Sequence, residues 1–236
     1  ALDGAPAEIR YVPDIFEYQL MHHSLTEMAG VPVVNISYSA IHGVNHLVKI
    51  VEDYVLASIV LIMASPLMLI IAIGVKLSSS GPVLYRQRRV GWNGKEFTIF
   101  KFRSMPHGAE QETGPVWACQ LDNRATRLGS FLRKTSLDEL PQLFNILKGE
   151  MSLIGPRPER PMFVEQYKNE IPHYMKKHLV KAGVTGWAQV HGWRGNTCLH
   201  TRIEHDLYYI ENWSLWLDMK IIIMTVFRGL IHKNAY

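Results

Sequence analysis

Residues 55–75 read VLASIVLIMASPLMLIIAIGV, a run without a single charge, and the fold turns on how that run is placed. About 20 apolar residues suffice to carry a helix across the hydrocarbon core, so the run reads as a membrane segment. A core helix of a soluble protein is the competing reading, but globular helices usually keep a polar face. Ser65 and Pro66 stand near the middle. Proline removes an intrahelical hydrogen bond and clashes with the preceding turn, so a kink or break belongs there. Two placements follow: a kinked helix that spans the bilayer, or a helix that turns at Ser65-Pro66 and returns on the side it came from.

The flanking charges bear on orientation. Lys76, Arg86, Arg88, Arg89, Lys95, Lys101 and Arg103 follow the run, whereas Lys49 before it is offset by Glu52 and Asp53. The positive-inside rule puts the following residues in the cytoplasm without separating the two placements. Arg86, Arg88 and Arg89 serve either that topology, with attraction to anionic lipid, or a substrate. The net charge of +4 over 236 residues is too diffuse to imply nucleic acid. Two cysteines, Cys119 and Cys198, stand far apart and point to a reducing compartment without a disulfide framework. The eleven histidines form no HExxH or facial-triad pattern. Walker A, GxGxxG and a nucleophile elbow are also missing.

Upstream, AEIRYVPD and GVPVVNIS read as the last strands of an α/β unit that begins earlier, and EYQLMHHSLTEMAG between them suits a helix closed by Gly30. Residues 1–45 are therefore expected to be the remnant of an upstream domain plus a linker. No signal peptide is visible.

Downstream, PVLYRQRRVGWNGKEFTIFKFRSM reads as a hairpin turning at Asn93-Gly94, with Lys101 and Arg103 on one face of its second strand and Phe100 and Phe102 on the other. A helix is expected from about Thr126, and another over PQLFNILKG, stopped at Gly149. MSLIGPRPERP is too rich in proline for helix or central strand, and its stiff backbone can present Arg157 and Arg160 to phosphate. PMFVEQYKNEIPHYMKKHLV is helical with an interruption at Pro172. VTGWAQVHGWRGNT reads as a loop that approaches something closely. The final segment carries Trp213 and Trp216 beside a run, 221–227, too short to span, which suits interfacial packing.

Between these lies KTSLDELPQLFN, residues 134–145. Ser136-x-x-Glu139 fits a capping box, which accounts for the acids without catalysis. Pro141 favours a start nearer Asp138 instead, which would put that carboxylate at a helix mouth suited to phosphate.

LRKTSLDELPQLFNILKGEMSLIGPRPE, with the preceding DNRATRLGSF, resembles the signature of the bacterial sugar transferase family, the polyprenyl-phosphate hexose-1-phosphate transferases, or monotopic phosphoglycosyl transferases. The resemblance continues through YRQRRVGWNGKEFTIFKFRSM, GVTGWAQVHGWRG and HDLYYIENWSLWLDMKI and covers about residues 46–236. WRGNT and YYIENWSLWLD are nearest to members that transfer glucose 1-phosphate to undecaprenyl phosphate, the colanic-acid-initiating type. The resemblance implies a membrane-associated α+β fold: a re-entrant apolar helix broken at Ser65-Pro66, a small hairpin, and a helical catalytic region with interfacial C-terminal helices. It implies that Asp138 attacks the sugar-bound phosphate of a UDP-sugar and releases UMP, before the lipid phosphate displaces the aspartyl group. Mg2+ is implied as cofactor, with Glu139 as its ligand or as a positioning partner. Lys101, Arg103 and Arg157 are implied for phosphate charge, and Asp206 and Asp218 for the same site. The implied surroundings are a phospholipid membrane, the bacterial inner membrane, with the catalytic region facing the cytoplasm; a homodimer is expected from the larger members. Lys181-Ala182-Gly183, His191 and NTCLHTRIEH depart from the family wording and bear on sugar or nucleotide preference. A non-catalytic membrane scaffold of glycan assembly is the reading from another class.

Overall fold

A computed structural model describes residues 39–106, 108–109, 124–195 and 197–229, with the backbone alone at 24–28, 31–35 and 228–229. The chain divides into two compact units, Ala1–Tyr38 and Ser39–Tyr236. In the first, β1 (Ser24–Met28) pairs antiparallel with β2 (Val31–Asn35), placing Thr26 across from Val33 and Leu25 across from Val34. This corrects the helix expected over residues 17–30: at Ser24–Met28, β-branched cross-strand partners two residues further on outweigh helical propensity. The remainder of that stretch and the strand expected over residues 7–14 lie outside the described residues.

The second unit mixes helix and sheet around one long apolar helix, α1 (Gly43–Ser78). Among the described residues it is the one helix long and apolar enough to cross a membrane. The expected interruption at Ser65-Pro66 does not end it; Pro66 lies inside a continuous helix. Without an N–H, Pro66 cannot serve the carbonyl of Ile62 one turn back, and Ser65 Oγ donates to that oxygen at 2.8 Å. The serine thus repairs locally what the proline removes.

Along α1, Lys49, Asp53, Ala57, Leu61, Ala64, Met68, Ile71 and Val75 recur every three or four residues and face the globular part. Residues on both sides of Pro66 therefore pack onto the same body. Val51, Val55, Ile59, Ile62, Met63, Ile70 and Ile73 are exposed on the other side. At the base of the helix, Lys49 Nζ lies 2.7 Å from Asp218 Oδ2, 3.0 Å from Asp53 and 3.4 Å from Glu52. Asp53 Oδ1 accepts from Leu153 N at 2.9 Å, and Trp213 Nε1 donates to Asp218 at 2.9 Å.

The expected hairpin forms from β3 (Leu84–Val90) and β4 (Glu96–Phe102), antiparallel and turned by Asn93 and Gly94 at φ 53° and 69°. Ile99 and Phe102 pack into the core below α1. Next comes α2 (Arg127–Lys134), capped by Thr126 Oγ1 accepting from Gly129 N at 2.9 Å. Gly129 is required there, since a Cβ would stand 1.9 Å from the Ser104 carbonyl oxygen. A 3₁₀ turn, Leu137–Glu139, leads through Pro141 into α3 (Gln142–Leu147), which ends at Gly149 with φ 78°.

Two stretches expected as loops contribute strands: β5 (Ser152–Ile154) pairs parallel with β6 (Gly183–Thr185). Prolines at 156 and 158 leave these three residues untouched, and Gly183 lets the strands meet where a Cβ would stand 2.1 Å from Gly155 N. Then follow α4 (Pro161–Tyr167), a 3₁₀ segment Tyr174–Leu179 after left-handed His173, α5 (Trp187–Val190), α6 (Leu199–Glu211) and α7 (Leu215–Met224).

Removing one member of a buried ion cluster leaves the others uncompensated, at a cost of about 3–5 kcal/mol. Lys49→Met is therefore expected to lower the unfolding free energy by about that amount, measured by thermal denaturation in detergent. An unchanged midpoint would contradict the role given to this cluster.

Candidate active site

Asp138 and Glu139 sit on the 3₁₀ turn directly against α1, because Leu137 and Leu140 on either side pack into the Met68, Ile71 and Val75 cluster. The expected capping box is not formed. Ser136 is left-handed at φ 57°, away from the extended backbone an N-cap needs, and its hydroxyl accepts from Arg194 Nη1 at 3.0 Å. Nor does the helix start near Asp138: Asp138 and Glu139 lie in a separate 3₁₀ turn, and α3 begins at Gln142 with Pro141 at its N-cap position.

The two acids have opposite environments. Glu139 Oε1 lies 2.8 Å from Lys101 Nζ, 2.6 Å from Arg157 Nη2 and 3.6 Å from Arg194 Nη2, while Oε2 accepts from Arg157 Nη1 at 3.3 Å. Burial alone would raise its pKa; Arg157, Lys101 and Arg194 together outweigh burial and hold the carboxyl well below the usual range. Asp138 is also buried, and its Oδ1 has no hydrogen-bond partner in the protein. Burial, helped by the Glu139 charge, raises Asp138 to about 6 against the pull of Lys101, Arg194 and Arg157. A carboxylate with an unused lone pair thus stands beside one whose lone pairs are taken.

Both acids open into a cleft of about 690 Å³ whose walls carry Arg89, Lys101, Arg133, Arg157, Arg160 and Arg194. Burial first, then the neighbouring Arg157 and Arg160, lower Arg89 to about 10, as expected where cations crowd. Such a cleft attracts polyanions, and its volume suits a nucleotide-sized ligand.

Of the residues singled out in the sequence, Asp138, Glu139, Lys101 and Arg157 are brought together. Arg103 lines the cleft, yet its terminal nitrogens donate to the carbonyls of Ser79 at 2.7 Å, Ser80 at 2.8 Å and Val75 at 3.3 Å. It closes the C-terminal end of α1. Asp206 is buried beside Lys177 at 3.6 Å and does not line the cleft. Asp218 is fully buried with Lys49 and Trp213 at the base of α1. Sequence reading passed over Arg194; its signal was the tight GWRG segment, read only as a close approach.

Glu139 does not fit as a metal ligand, because three cations occupy it. Among the described residues no group of three or more His, Cys, Asp or Glu could hold a metal ion. Mg2+ commonly takes one or two carboxylates and draws its other ligands from substrate phosphates and water, and the unpartnered Asp138 Oδ1 fits that pattern.

Residues 44–232 match the family described as bacterial sugar transferase. The UDP-glucose:undecaprenyl-phosphate glucose-1-phosphate transferase of Escherichia coli (strain K12) is 49% identical over 100% of this chain and 51% of its own length. The protein of the same name from Xanthomonas campestris pv. campestris is 48% identical over 100% of the chain and 50% of its own length. A UDP-N-acetylgalactosamine-undecaprenyl-phosphate N-acetylgalactosaminephosphotransferase of Aeromonas hydrophila is 51% identical over 74% of the chain and 41% of its own length. The chain thus spans about half the length, or less, of these relatives.

A carboxyl whose pKa is raised on folding contributes stability below its unfolded value near 3.8, and that contribution is lost as pH rises through about 6. Asp138→Asn is therefore expected to be more stable than wild type at pH 7.5, by an amount on the order of 2 kcal/mol, and level with it near pH 4. Thermal midpoints at the two pH values check this; a less stable variant at pH 7.5 would refute the environment assigned to Asp138.

Proposed function

This chain belongs to the bacterial sugar transferase family, and on that premise we propose that it transfers hexose 1-phosphate from a UDP-sugar to undecaprenyl phosphate. The observation that carries the reading is the buried Asp138 oxygen without a partner, beside a Glu139 fixed by Lys101, Arg157 and Arg194. A phosphoryl centre entering this cleft meets one available nucleophile and several cations. Asp138 attacks the phosphorus bonded to the sugar, the bond to the UMP oxygen breaks, and UMP leaves with the electron pair. An oxygen of the lipid phosphate then attacks the same phosphorus and expels the Asp138 carboxylate, giving a lipid diphosphate sugar. Lys101, Arg157 and Arg194 offset the charge that passes between the two anionic substrates. Mg2+, held by Asp138 and substrate phosphate oxygens, would supply further charge neutralisation.

The placement of α1 supports a membrane-surface reaction. Its contacts on both sides of Ser65-Pro66 with one globular body favour a re-entrant helix whose two ends share a side, over a straight crossing. The exposed apolar face then lies in lipid, and Leu137 and Leu140 pack the turn bearing the acid pair against the buried stripe of the same helix. The excess of basic residues after the helix supports a cytoplasmic position for that side, at the bacterial inner membrane. Relatives about twice as long match this chain throughout, residues 1–45 included, and we read these residues as the end of an upstream domain on the strand pattern of the sequence. Glucose is the favoured sugar, because relatives matching the whole chain are named for it, while the N-acetylgalactosamine relative matches 74%. No observation favours the scaffold over an enzyme.

With UDP-glucose, Mg2+ and undecaprenyl phosphate, the wild-type chain is expected to release UMP beyond one equivalent of protein only when the lipid is present. Asp138→Asn should fall by about 1,000-fold or more, and the wild-type rate should climb as pH rises through about 6. Release of UDP, or near wild-type turnover by Asp138→Asn, would overturn the proposal.

A further inference from the structure

The proposed reaction leaves unused a set of buried charges: Glu159 and Arg202 in the cleft wall, and Lys177 and Asp206 behind it, with the Tyr174 hydroxyl donating to Glu159. Lys177 Nζ lies 3.3 Å from Glu159 and 3.6 Å from Asp206. Arg202, on α6, does something the others do not. Its Nη1 donates to Glu159 Oε1 at 3.3 Å, while Nη2 donates to the Gly195 carbonyl at 2.5 Å and to Thr197 Oγ1 at 3.1 Å. One guanidinium therefore joins two loops that are far apart in sequence. Glu159 is two residues after Arg157, and Gly195 is the residue after Arg194. Both flanking arginines reach Glu139. The Glu159 end is itself fixed to the hairpin, since Val90 N donates to the Glu159 carbonyl at 2.9 Å.

We propose that Arg202 is a positioning residue for the acid pair: by tying the Gly195 and Thr197 backbone segment to Glu159, it sets where Arg194 meets Ser136 and Glu139. The proposal rests on the reading of this cleft as a phosphoglycosyl transferase site. Arg202 lines the cleft wall but is 3% exposed, and both of its terminal nitrogens are engaged by protein, so its part is to hold Arg194 in place. The planar fork of arginine bonds a carboxylate and a carbonyl in different directions at once; a lysine keeps the charge and serves them as a point. Buried pairs of this kind add little net stability and hold geometry instead. A displacement of about 1 Å at a reacting site can cost about 100-fold in rate, which sets the scale of the effect. The segment NTCLHTRIEH, singled out in the sequence for its wording, contains the residue that anchors the preceding WRG turn.

The test uses the full chain in lipid nanodiscs, with UDP-glucose, Mg2+ and undecaprenyl phosphate. Arg202→Lys should lose about 30- to 100-fold in kcat with KM for UDP-glucose within about threefold of wild type. Arg194→Met should lose a similar factor, and the double variant should be no slower than Arg194→Met alone, because the two residues act in series. Full multiplication of the two losses, or an undiminished Arg202→Lys, would overturn the proposal. Amide hydrogen exchange supplies a readout independent of turnover. In Arg202→Lys, residues 192–198 should exchange about tenfold faster or more while α1 and the β3–β4 hairpin keep their protection. Unchanged exchange at 192–198, or loss of protection throughout the chain, would overturn it. If wild type turns over no sugar nucleotide, the functional reading fails, and the exchange result still decides the role of Arg202.

Discussion

Everything in the cleft depends on how the Glu139 carboxylate is held. Lys101 from β4, Arg157 from the proline-rich loop and Arg194 from the turn before α6 converge on it. Three guanidinium or ammonium groups could not share so small a buried volume without an anion among them. Their combined field keeps Glu139 ionised despite burial, whereas at Asp138, one residue away, burial and the Glu139 charge outweigh the pull of the same cations. The backbone makes this division: left-handed Ser136 turns the chain out of α2, and the 3₁₀ turn sends the adjacent side chains into different surroundings. A carboxylate with an unpartnered oxygen beside one held by three cations is the chemical consequence.

The same turn couples the site to the long apolar helix. Leu137 and Leu140 are part of the layer beneath α1, so the acid pair cannot move far from that helix without opening the core. At the other end, Lys49 joins α1 to Asp218 of α7, and Asp53 joins it to the backbone of β5. Ser65 keeps the helix continuous past Pro66 by occupying the Ile62 carbonyl. Fixed at its base, along its buried stripe and at its C-terminal end by Arg103, α1 is seated as a slab with one face toward protein and one apolar face outward.

Much of this was legible in the sequence where local chemistry decides structure. The uncharged run, the Asn93-Gly94 turn, the helix after Thr126 and the stop at Gly149 all follow from hydropathy, turn residues and caps. The strand at Ser24–Met28 and the β5–β6 pair were missed because distant or neighbouring partners, not local pattern, create them. At the site, motif wording located Asp138, Glu139, Lys101 and Arg157. It could not tell that Arg103 would bond helix carbonyls, or that Asp206 and Asp218 would be buried against lysines elsewhere. Acidic and basic residues look alike in sequence whether they meet substrate or one another. Only their partners in space separate the two, which is also why Arg194 and Arg202 emerge from the structure.

The central claim, that Asp138 carries the phosphosugar, is most directly tested by mass spectrometry of the chain incubated with UDP-glucose and Mg2+ in the absence of undecaprenyl phosphate. The account requires a hexose phosphate adduct on the peptide bearing Asp138, discharged when the lipid phosphate is added. Lipid-dependent UMP release with no adduct on that peptide at any time would show direct transfer between the two substrates and contradict it.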